Sequence, residues 1–311
     1  MISCTEFIPA YSELFHYLDE TFGRDEIDRY WATLFKPDGK GGTLITALLA
    51  EGIHGCWTHW THSLNEEAAD FVMYLNEKRG FFFNEMFWCP SKGKLLKLQD
   101  EIGLKPYPDY CLHCDGYRLA VEKAGLKYIY NFIGTDKAAC SMLIYDPEVF
   151  DGRVILDEDT LVMRRNAADN EYFHPSFHFS LSRCVHYIAT EHGEAALRDF
   201  LHSYVKKVLV PLYPDLKTRG AKAIAEILRD SYRKEKAEDA LLLEQNGKEL
   251  YVAVRYCPGI RYMKEAGKWV SPYFSATTRY VMEALAEAAG LVFGMTEFCE
   301  ETGATAYSFT K

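Results

Sequence analysis

The stretch that decides the fold is Tyr256–Phe309, YCPGIRYMKEAGKWVSPYFSATTRYVMEALAEAAGLVFGMTEFCEETGATAYSF. It opens with a Cys-Pro step, runs through a helical segment that ends at Gly290, and closes with two apolar runs around a turn-like Glu-Glu-Thr-Gly. An earlier stretch has the same plan. There, a Cys-Pro step at Cys89 leads into a helical segment that ends at Gly125 and into two apolar runs around Gly-Thr-Asp-Lys. The pattern predicts two copies of one module.

Three pairs of landmark residues recur at nearly the same offset: Cys89 with Cys257, Gly125 with Gly290, and His16 with His186. Because such agreement along a whole module is hard to obtain by chance, it indicates a tandem duplication. We therefore expect an α+β fold in which two tandem copies of a helical plus antiparallel-sheet module pack as a pseudo-dimer. The predicted first module covers residues 1–150 and the second covers residues 172–311. The linker between them, residues 151–171, contains the apolar run Leu161–Met163, which we expect to add one strand.

Each module is expected to contain three helices, a β-hairpin, one or two further helices and a closing pair of strands. In the second module Asn246-Gly247 lies between two apolar runs, and this dipeptide is typical of a two-residue hairpin turn. Gly193 is expected to end a helix that has Pro175 at its first position and runs to about Glu191.

Composition excludes several classes of function. The chain of 311 residues is 48% hydrophobic and has a formal net charge of -10, with no basic stripe that could follow a phosphate backbone, so we expect no nucleic-acid partner. The N-terminal residues lack the pattern of a secretory signal, and no apolar run is long enough to cross a bilayer. Nine scattered cysteines favour reduced thiols and a cytoplasmic protein, which could form an oligomer.

Two resemblances follow from the second module. Cys299, Gly303 and Phe309 have the spacing of the closing signature of the vinyl-reductase-type small-ligand-binding domain, although Tyr307 stands where that signature has a second cysteine. The stretch HPSFHFSLSRCVHYIATEHGEAALRDF, continued through RYCP, resembles the L-2-amino-thiazoline-4-carboxylic acid hydrolase family. This resemblance covers nearly all of Tyr172–Lys311 and, more weakly, residues 13–145.

The resemblance implies an intracellular hydrolase that opens a small ring containing sulfur and nitrogen, in other words a hydrolase of C–N or C–S bonds in a cyclic amidine or thiazoline-type substrate. Such a reaction needs a general base near neutral pH and an acid or carboxylate partner. The alternative is a non-catalytic protein that binds or senses a small ligand. A third interpretation, delivery of a metal or cofactor, rests on the histidine and cysteine clusters.

Candidate catalytic residues are His178, Cys257 and His174. His178 shares one helical stripe with His186, and Cys257 lies where a helix begins, a position that favours the thiolate. Pro175 pushes the residue before it out of helical geometry, which makes His174 a cap or pre-helix residue. These histidines could instead serve only to cap and pack the helix.

Candidate substrate-binding residues are concentrated in the first module, in the tract HGCWTHWTH. They are His54, Trp57, His59, Trp60 and His62, together with His186 of the second module. The tract has no counterpart in the second copy, and a specialised site in a duplicated protein is expected in such a place. The same residues could instead line an aromatic-rich helix face.

A third candidate is a metal site for zinc or another divalent ion. The Cys-x-x-Cys spacing of Cys111 and Cys114 is found in metal knuckles, and Cys89 and Cys140 are the nearby cysteines that could complete a set of four. Their spacing matches no zinc ribbon, so buried free thiols are the alternative.

Overall fold

The computed structural model describes residues 1–34, 43–132, 134–169 and 171–311. The described chain is mixed α+β, with two antiparallel sheets of five and four strands. The helices are α1 (Phe7–Phe22), α2 (Arg24–Leu34), α3 (Thr43–Glu51), α4 (His54–Glu66), α5 (Pro90–Ile102), α6 (Tyr117–Lys123), α7 (Phe177–Tyr204), α8 (Val210–Leu212), α9 (Leu216–Arg219), α10 (Ala221–Lys234), α11 (Pro258–Glu265) and α12 (Ala276–Ala289). The strands are β1 (Asp70–Asn76), β2 (Phe81–Trp88), β3 (Lys127–Asn131), β4 (Cys140–Tyr145), β5 (Leu161–Arg165), β6 (Leu241–Asn246), β7 (Glu249–Val254), β8 (Val292–Phe298) and β9 (Thr305–Thr310).

The chain forms two compact units. The five-stranded unit consists of Phe22–Glu101 and Lys105–Tyr172. The four-stranded unit consists of Met1–Thr21, Ile102–Leu104 and Phe173–Lys311. The sequence predicts a first module that begins at residue 1, whereas the structure groups α1 with the C-terminal residues. Helix α1 is apolar on most of its faces, and its pattern specifies that it is buried without specifying which sheet buries it.

The five-stranded unit has the strand order β3-β4-β2-β1-β5. Phe71, Met73 and Leu75 alternate along β1 and form the core with Phe82 of β2 and Trp60 of α4. The strand expected between the two modules is present as β5, which pairs antiparallel with β1.

The four-stranded unit has the strand order β6-β7-β9-β8. The Asn-Gly turn is confirmed between β6 and β7, with Gly247 at a φ of +61°. The helix break at Gly193 is also confirmed, because this residue has non-helical angles (φ 87°, ψ 166°) within the span of α7. Helix α12 contacts α7 and β8, so α12 lies between the long helix and this edge of the sheet.

The two sheets share one arrangement of strands. In each, a hairpin comes first in the chain and two later strands complete the sheet: β3-β4-β2-β1 in one and β8-β9-β7-β6 in the other. Each Cys-Pro step also makes the same kind of backbone contact. The N–H of Cys89 donates to the carbonyl of Ala138 at 2.7 Å, and the N–H of Cys257 donates to the carbonyl of Thr302 at 2.8 Å.

A close approach at Gly303 fixes the start of α11. Gly303 has a φ of +70°, and a Cβ placed on it would lie 2.3 Å from the Cβ of Cys257. This turn between β8 and β9 therefore needs glycine for its backbone angle and for the space that it leaves. Within the described residues, no helix is long and apolar enough to cross a membrane.

Gly303→Ala should lower the free energy of unfolding by about 3 kcal/mol or more, because the new methyl group meets Cys257 in a packed region and the backbone angle is strained. Gly290→Ala is the matched control. Gly290 has a φ of +68°, and apart from its two chain neighbours no atom of the described chain lies within 4 Å of the position of a Cβ, so its cost should be about 1 kcal/mol. Urea unfolding of the two variants measures the difference. Equal losses of unfolding free energy in the two variants would show that the contact with Cys257 does not contribute to the cost of Gly303→Ala.

Candidate functional site

The candidate site is built around a buried histidine and a buried glutamate in the four-stranded unit. His178 lies in the first turn of α7 and Glu235 directly follows the last residue of α10. Their side chains are 1% and 2% exposed, and His178 Nε2 lies 2.9 Å from Glu235 Oε2. A hydrogen bond between groups of this kind, shielded from water, is stronger than a neutral one at the surface.

Glu235 has a second partner from the N-terminal segment of the same unit. Its Oε1 accepts the backbone N–H of Cys4, which lies in a 3-10 turn at Cys4–Glu6. Burial raises the pKa of Glu235, but the neighbouring His178 and the N–H of Cys4 lower it by more, so the pKa lies below its ordinary value. Glu235 is therefore a carboxylate at neutral pH.

A second buried carboxylate, Glu6, closes the same turn. Its Oε2 accepts from Ser3 Oγ at 3.0 Å, and Lys234 Nζ lies 3.1 Å from its Oε1. Ser231 Oγ is 3.4 Å from the same carboxylate. The 3-10 turn is thus attached to the end of α10 through both Cys4 and Glu6.

The second ring nitrogen of the imidazole faces the start of α11. His178 Nδ1 is buried and has no hydrogen-bond partner among the described residues, and a Cβ placed on Gly259 would lie 2.7 Å from it. When Nε2–H donates to the Glu235 carboxylate, a neutral imidazole carries its lone pair on Nδ1. The carboxylate thus selects the ring nitrogen that can accept a proton, as the acid of a catalytic triad does.

Cys257 is the residue before α11 and is 5% exposed. Burial raises the pKa of its thiol, although the N–H groups of Ile260 and Gly259, which hydrogen-bond to the sulfur, act in the opposite direction. Its thiol donates to the sulfur of Met1 at 3.6 Å. The thiol is protonated in this arrangement, and the N-terminal amides of the helix are already oriented towards the sulfur.

The structure brings two of the three candidate catalytic residues, His178 and Cys257, to the beginning of α11. His174 precedes α7, as Pro175 predicts. Its Nε2 lies 3.0 Å from Ser176 Oγ, and its ring meets that of Phe177 edge-on at 4.2 Å. These contacts are those of a residue that anchors the helix start.

The histidine-rich tract lies in the five-stranded unit, and its side chains have separate neighbours. His54 Nδ1 is 3.0 Å from Glu77 Oε1, and His62 Nε2 is 3.4 Å from Glu66 Oε1. Trp60 is buried against Phe82, the ring of His59 meets Trp60 edge-on, and Trp57 lies partly buried beside the core. In the other unit, the ring of His186 lies against Trp269 at 4.7 Å. The substrate-binding role of the tract stays a prediction.

The four cysteines of the predicted metal site also lie in the five-stranded unit, and none forms a disulfide. Cys111 and Cys114 lie three residues apart in the 3-10 turn Tyr110–Gly116. Tyr130 Oη donates to Cys140 Sγ at 3.1 Å. Burial raises the pKa of Cys111 and Cys114 to about 12 and that of Cys140 to about 11. These cysteines, with Cys89, are therefore neutral thiols at physiological pH.

Closely spaced donor atoms occur elsewhere in the described chain. Three ligand atoms lie within 4.8 Å of one another at Cys4, His178 and Glu235, all buried, and at His202, Glu283 and Glu287 nearer the surface. The four cysteines are all among the described residues, and they form no such group of three. At the surface group, Glu283 is already bound by Arg198 through two hydrogen bonds.

Sequence reasoning missed Glu235 and Cys4. Glu235 lies in the charged run Arg233–Lys236, which is typical of a solvated helix end. One signal was available, because a glutamate is unfavourable at the C-terminal end of a helix and its presence there suggests a specific partner. Cys4 carries no comparable signal.

Comparison of the chain with known protein families, with curated proteins and with solved structures found no match. The assignment of the site therefore depends on its geometry.

Glu235→Gln should lower the free energy of unfolding by about 2 kcal/mol, because it replaces a charge-assisted hydrogen bond in a buried place by a neutral one. Glu238→Gln, three residues further on at an exposed position, is the control and should change stability by less than about 0.5 kcal/mol. Urea unfolding at pH 7 compares the two. If both variants had the same free energy of unfolding as the unaltered protein, the hydrogen bond between His178 and Glu235 would not stabilise the site.

Proposed function

We propose that the four-stranded unit hydrolyses a C–N or C–S bond of a small cyclic amidine or thiazoline-type molecule. The observation that carries this proposal is the buried His178–Glu235 pair. The Nδ1 of its imidazole lacks a hydrogen-bond partner among the described residues and faces the start of the helix that begins after Cys257. A nucleophile, a base and a group that orients the base are the components of covalent hydrolysis.

In the proposed reaction Glu235 keeps the Nε2 proton in place, and Nδ1 accepts the proton of the Cys257 thiol once the thiol has turned away from the Met1 sulfur. The N–H groups of Gly259 and Ile260, which already hydrogen-bond to the sulfur, then stabilise the thiolate. The thiolate attacks the amidine carbon, His178 returns its proton to the leaving nitrogen or sulfur, and water releases the product in a second step. His174 has no part in this chemistry.

The site is closed in this structure, since its three reacting groups are at most 6% exposed. A substrate therefore enters only when a neighbouring segment moves, and the proposed segment is the 3-10 turn at Cys4–Glu6, whose backbone binds Glu235. Opening of a small cover before chemistry is common in enzymes that exclude water from their reaction.

We also propose that the two units arose by duplication of one vinyl-reductase-type module, of the kind suggested by the resemblance to the amino-thiazoline-carboxylate hydrolase family. The common strand order of the two sheets and the matching backbone contacts of Cys89 and Cys257 support this. The pseudo-dimer remains a prediction from this duplication.

A reducing compartment such as the cytoplasm is part of the proposal. No disulfide joins the cysteines of the described chain, and burial keeps most of these thiols in the neutral form.

A second candidate function is binding of a small anionic ligand without turnover. A groove of about 330 Å³ in the four-stranded unit is lined by Arg198, Arg279, Tyr280, Glu283, Phe293 and Met295. Its volume is at the lower end of the range for ligand pockets, and the guanidinium group of Arg279 beside aromatic walls suits a planar carboxylate.

The proposed function is tested with 2-amino-thiazoline-4-carboxylate, by following the release of thiol and of ammonia. Cys257→Ser and His178→Gln should each reduce kcat by about 100-fold or more, since each removes a reacting group. Cys184→Ser, which removes another buried thiol of the same unit, should leave kcat unchanged.

Circular dichroism and urea unfolding must show that the variants remain folded. Full activity in folded Cys257→Ser would contradict the assignment of the nucleophile. If the unaltered chain binds the substrate without turning it over, the second candidate function replaces the first.

A further inference from the structure

We propose that Cys4, His178 and Glu235 form a binding site for one divalent cation of the zinc type. The three residues come from a 3-10 turn, the start of α7 and the end of α10, and their ligand atoms all lie within 4.8 Å of one another. This inference goes beyond the proposed hydrolysis, because binding of an ion is measured without any substrate.

The spacing of the donor atoms is close to what zinc needs. Bonds of about 2.0 to 2.3 Å in a tetrahedral site place neighbouring ligand atoms roughly 3.5 Å apart. His178 Nε2 and Glu235 Oε2 are 2.9 Å apart in the metal-free chain. Donor atoms that lie within 4.8 Å of one another need to change their separations by at most about 1.3 Å to reach this spacing, and the ion replaces the proton between the imidazole and the carboxylate.

The chemical nature of the donors selects the ion. A thiol sulfur, an imidazole nitrogen and a carboxylate oxygen form a mixed set that suits zinc, and also cobalt as its substitute. Calcium and magnesium prefer oxygen ligands alone and are disfavoured. Three protein ligands leave a fourth position for water, as in catalytic zinc sites.

Charge balance also favours a divalent ion at this buried place. Two positive charges on the ion are balanced by the Glu235 carboxylate and by the Cys4 thiolate, which forms when the thiol releases its proton to solvent on binding. The neutral imidazole adds no charge. A site with zero net charge avoids the high cost of an uncompensated charge in a place where all three residues are buried.

Bound zinc would change the part that His178 plays. As a ligand, the imidazole would no longer be available as the base, and the ion would supply Lewis-acid activation of water at its fourth position. The metal-free and metal-loaded proteins would therefore use different reaction routes at the same site. Hydrolysis and metal binding can be tested separately.

The test is titration of the full chain, treated with a chelator and kept reduced, with Co²⁺ and then Zn²⁺. We expect one Co²⁺ per chain, a thiolate-to-cobalt absorption band in the near ultraviolet, and loss of this band when Zn²⁺ displaces the cobalt. Cys4→Ser should remove the band and weaken binding on the order of 100-fold or more, and Glu235→Gln should weaken it similarly.

The chain offers a matched control for the cysteine assignment. A double variant, Cys111→Ser with Cys114→Ser, should bind Co²⁺ as the unaltered protein does. Absence of binding near one ion per chain would overturn the proposal. So would a band that persists in Cys4→Ser and disappears in the double variant, because the ion would then lie at the other cysteines.

Failure of this proposal is distinguishable from failure of the proposed function. Stoichiometric ion binding without turnover supports the metal site and contradicts the hydrolase. Turnover by chelator-treated protein that binds no ion supports the hydrolase and contradicts the metal site.

Discussion

The hydrogen bond between His178 and Glu235 is the interaction on which the four-stranded unit depends. Both groups are shielded from water, so each needs its partner to offset the loss of hydration. Glu235 also binds the backbone of Cys4, and Lys234 beside it reaches Glu6. One polar cluster therefore joins the first residues of the chain to two helices that come much later in it. The close approach of Gly303 to Cys257 places the thiol at the edge of this cluster.

Much of the fold could be predicted because local patterns decide it. The Asn-Gly turn at Asn246-Gly247, the break at Gly193 and the strand at Leu161–Met163 each follow from the preference of a few neighbouring residues. The mixed α+β class follows from the alternation of helical and strand-like runs. The position of α1 could not be predicted, because an apolar helix carries no record of which sheet covers it.

The candidate site was predictable only in part, for a related reason. His178 and Cys257 stand out because their residue types and their places at helix starts suggest chemistry. Glu235 does not, because its neighbours in sequence are charged and its burial results from residues 57 and 231 positions away. The histidine tract shows the opposite effect. Its density in sequence is high, yet His54 and His62 bind different carboxylates, Glu77 and Glu66, because the neighbours of each ring are set by the fold and not by the tract.

The grouping of α1 with the C-terminal residues has a consequence for the order in which the chain folds. The five-stranded unit is almost one continuous segment, so it can form as soon as residue 172 has left the ribosome. Met1–Thr21 must instead wait until the last strands of the four-stranded unit have been synthesised. Contacts of such long range are slow to form, and the apolar face of α1 stays uncovered in the meantime. A nascent chain that stalls after synthesis of the five-stranded unit would therefore expose the apolar side chains of α1. We expect such a chain to bind chaperones that act during synthesis.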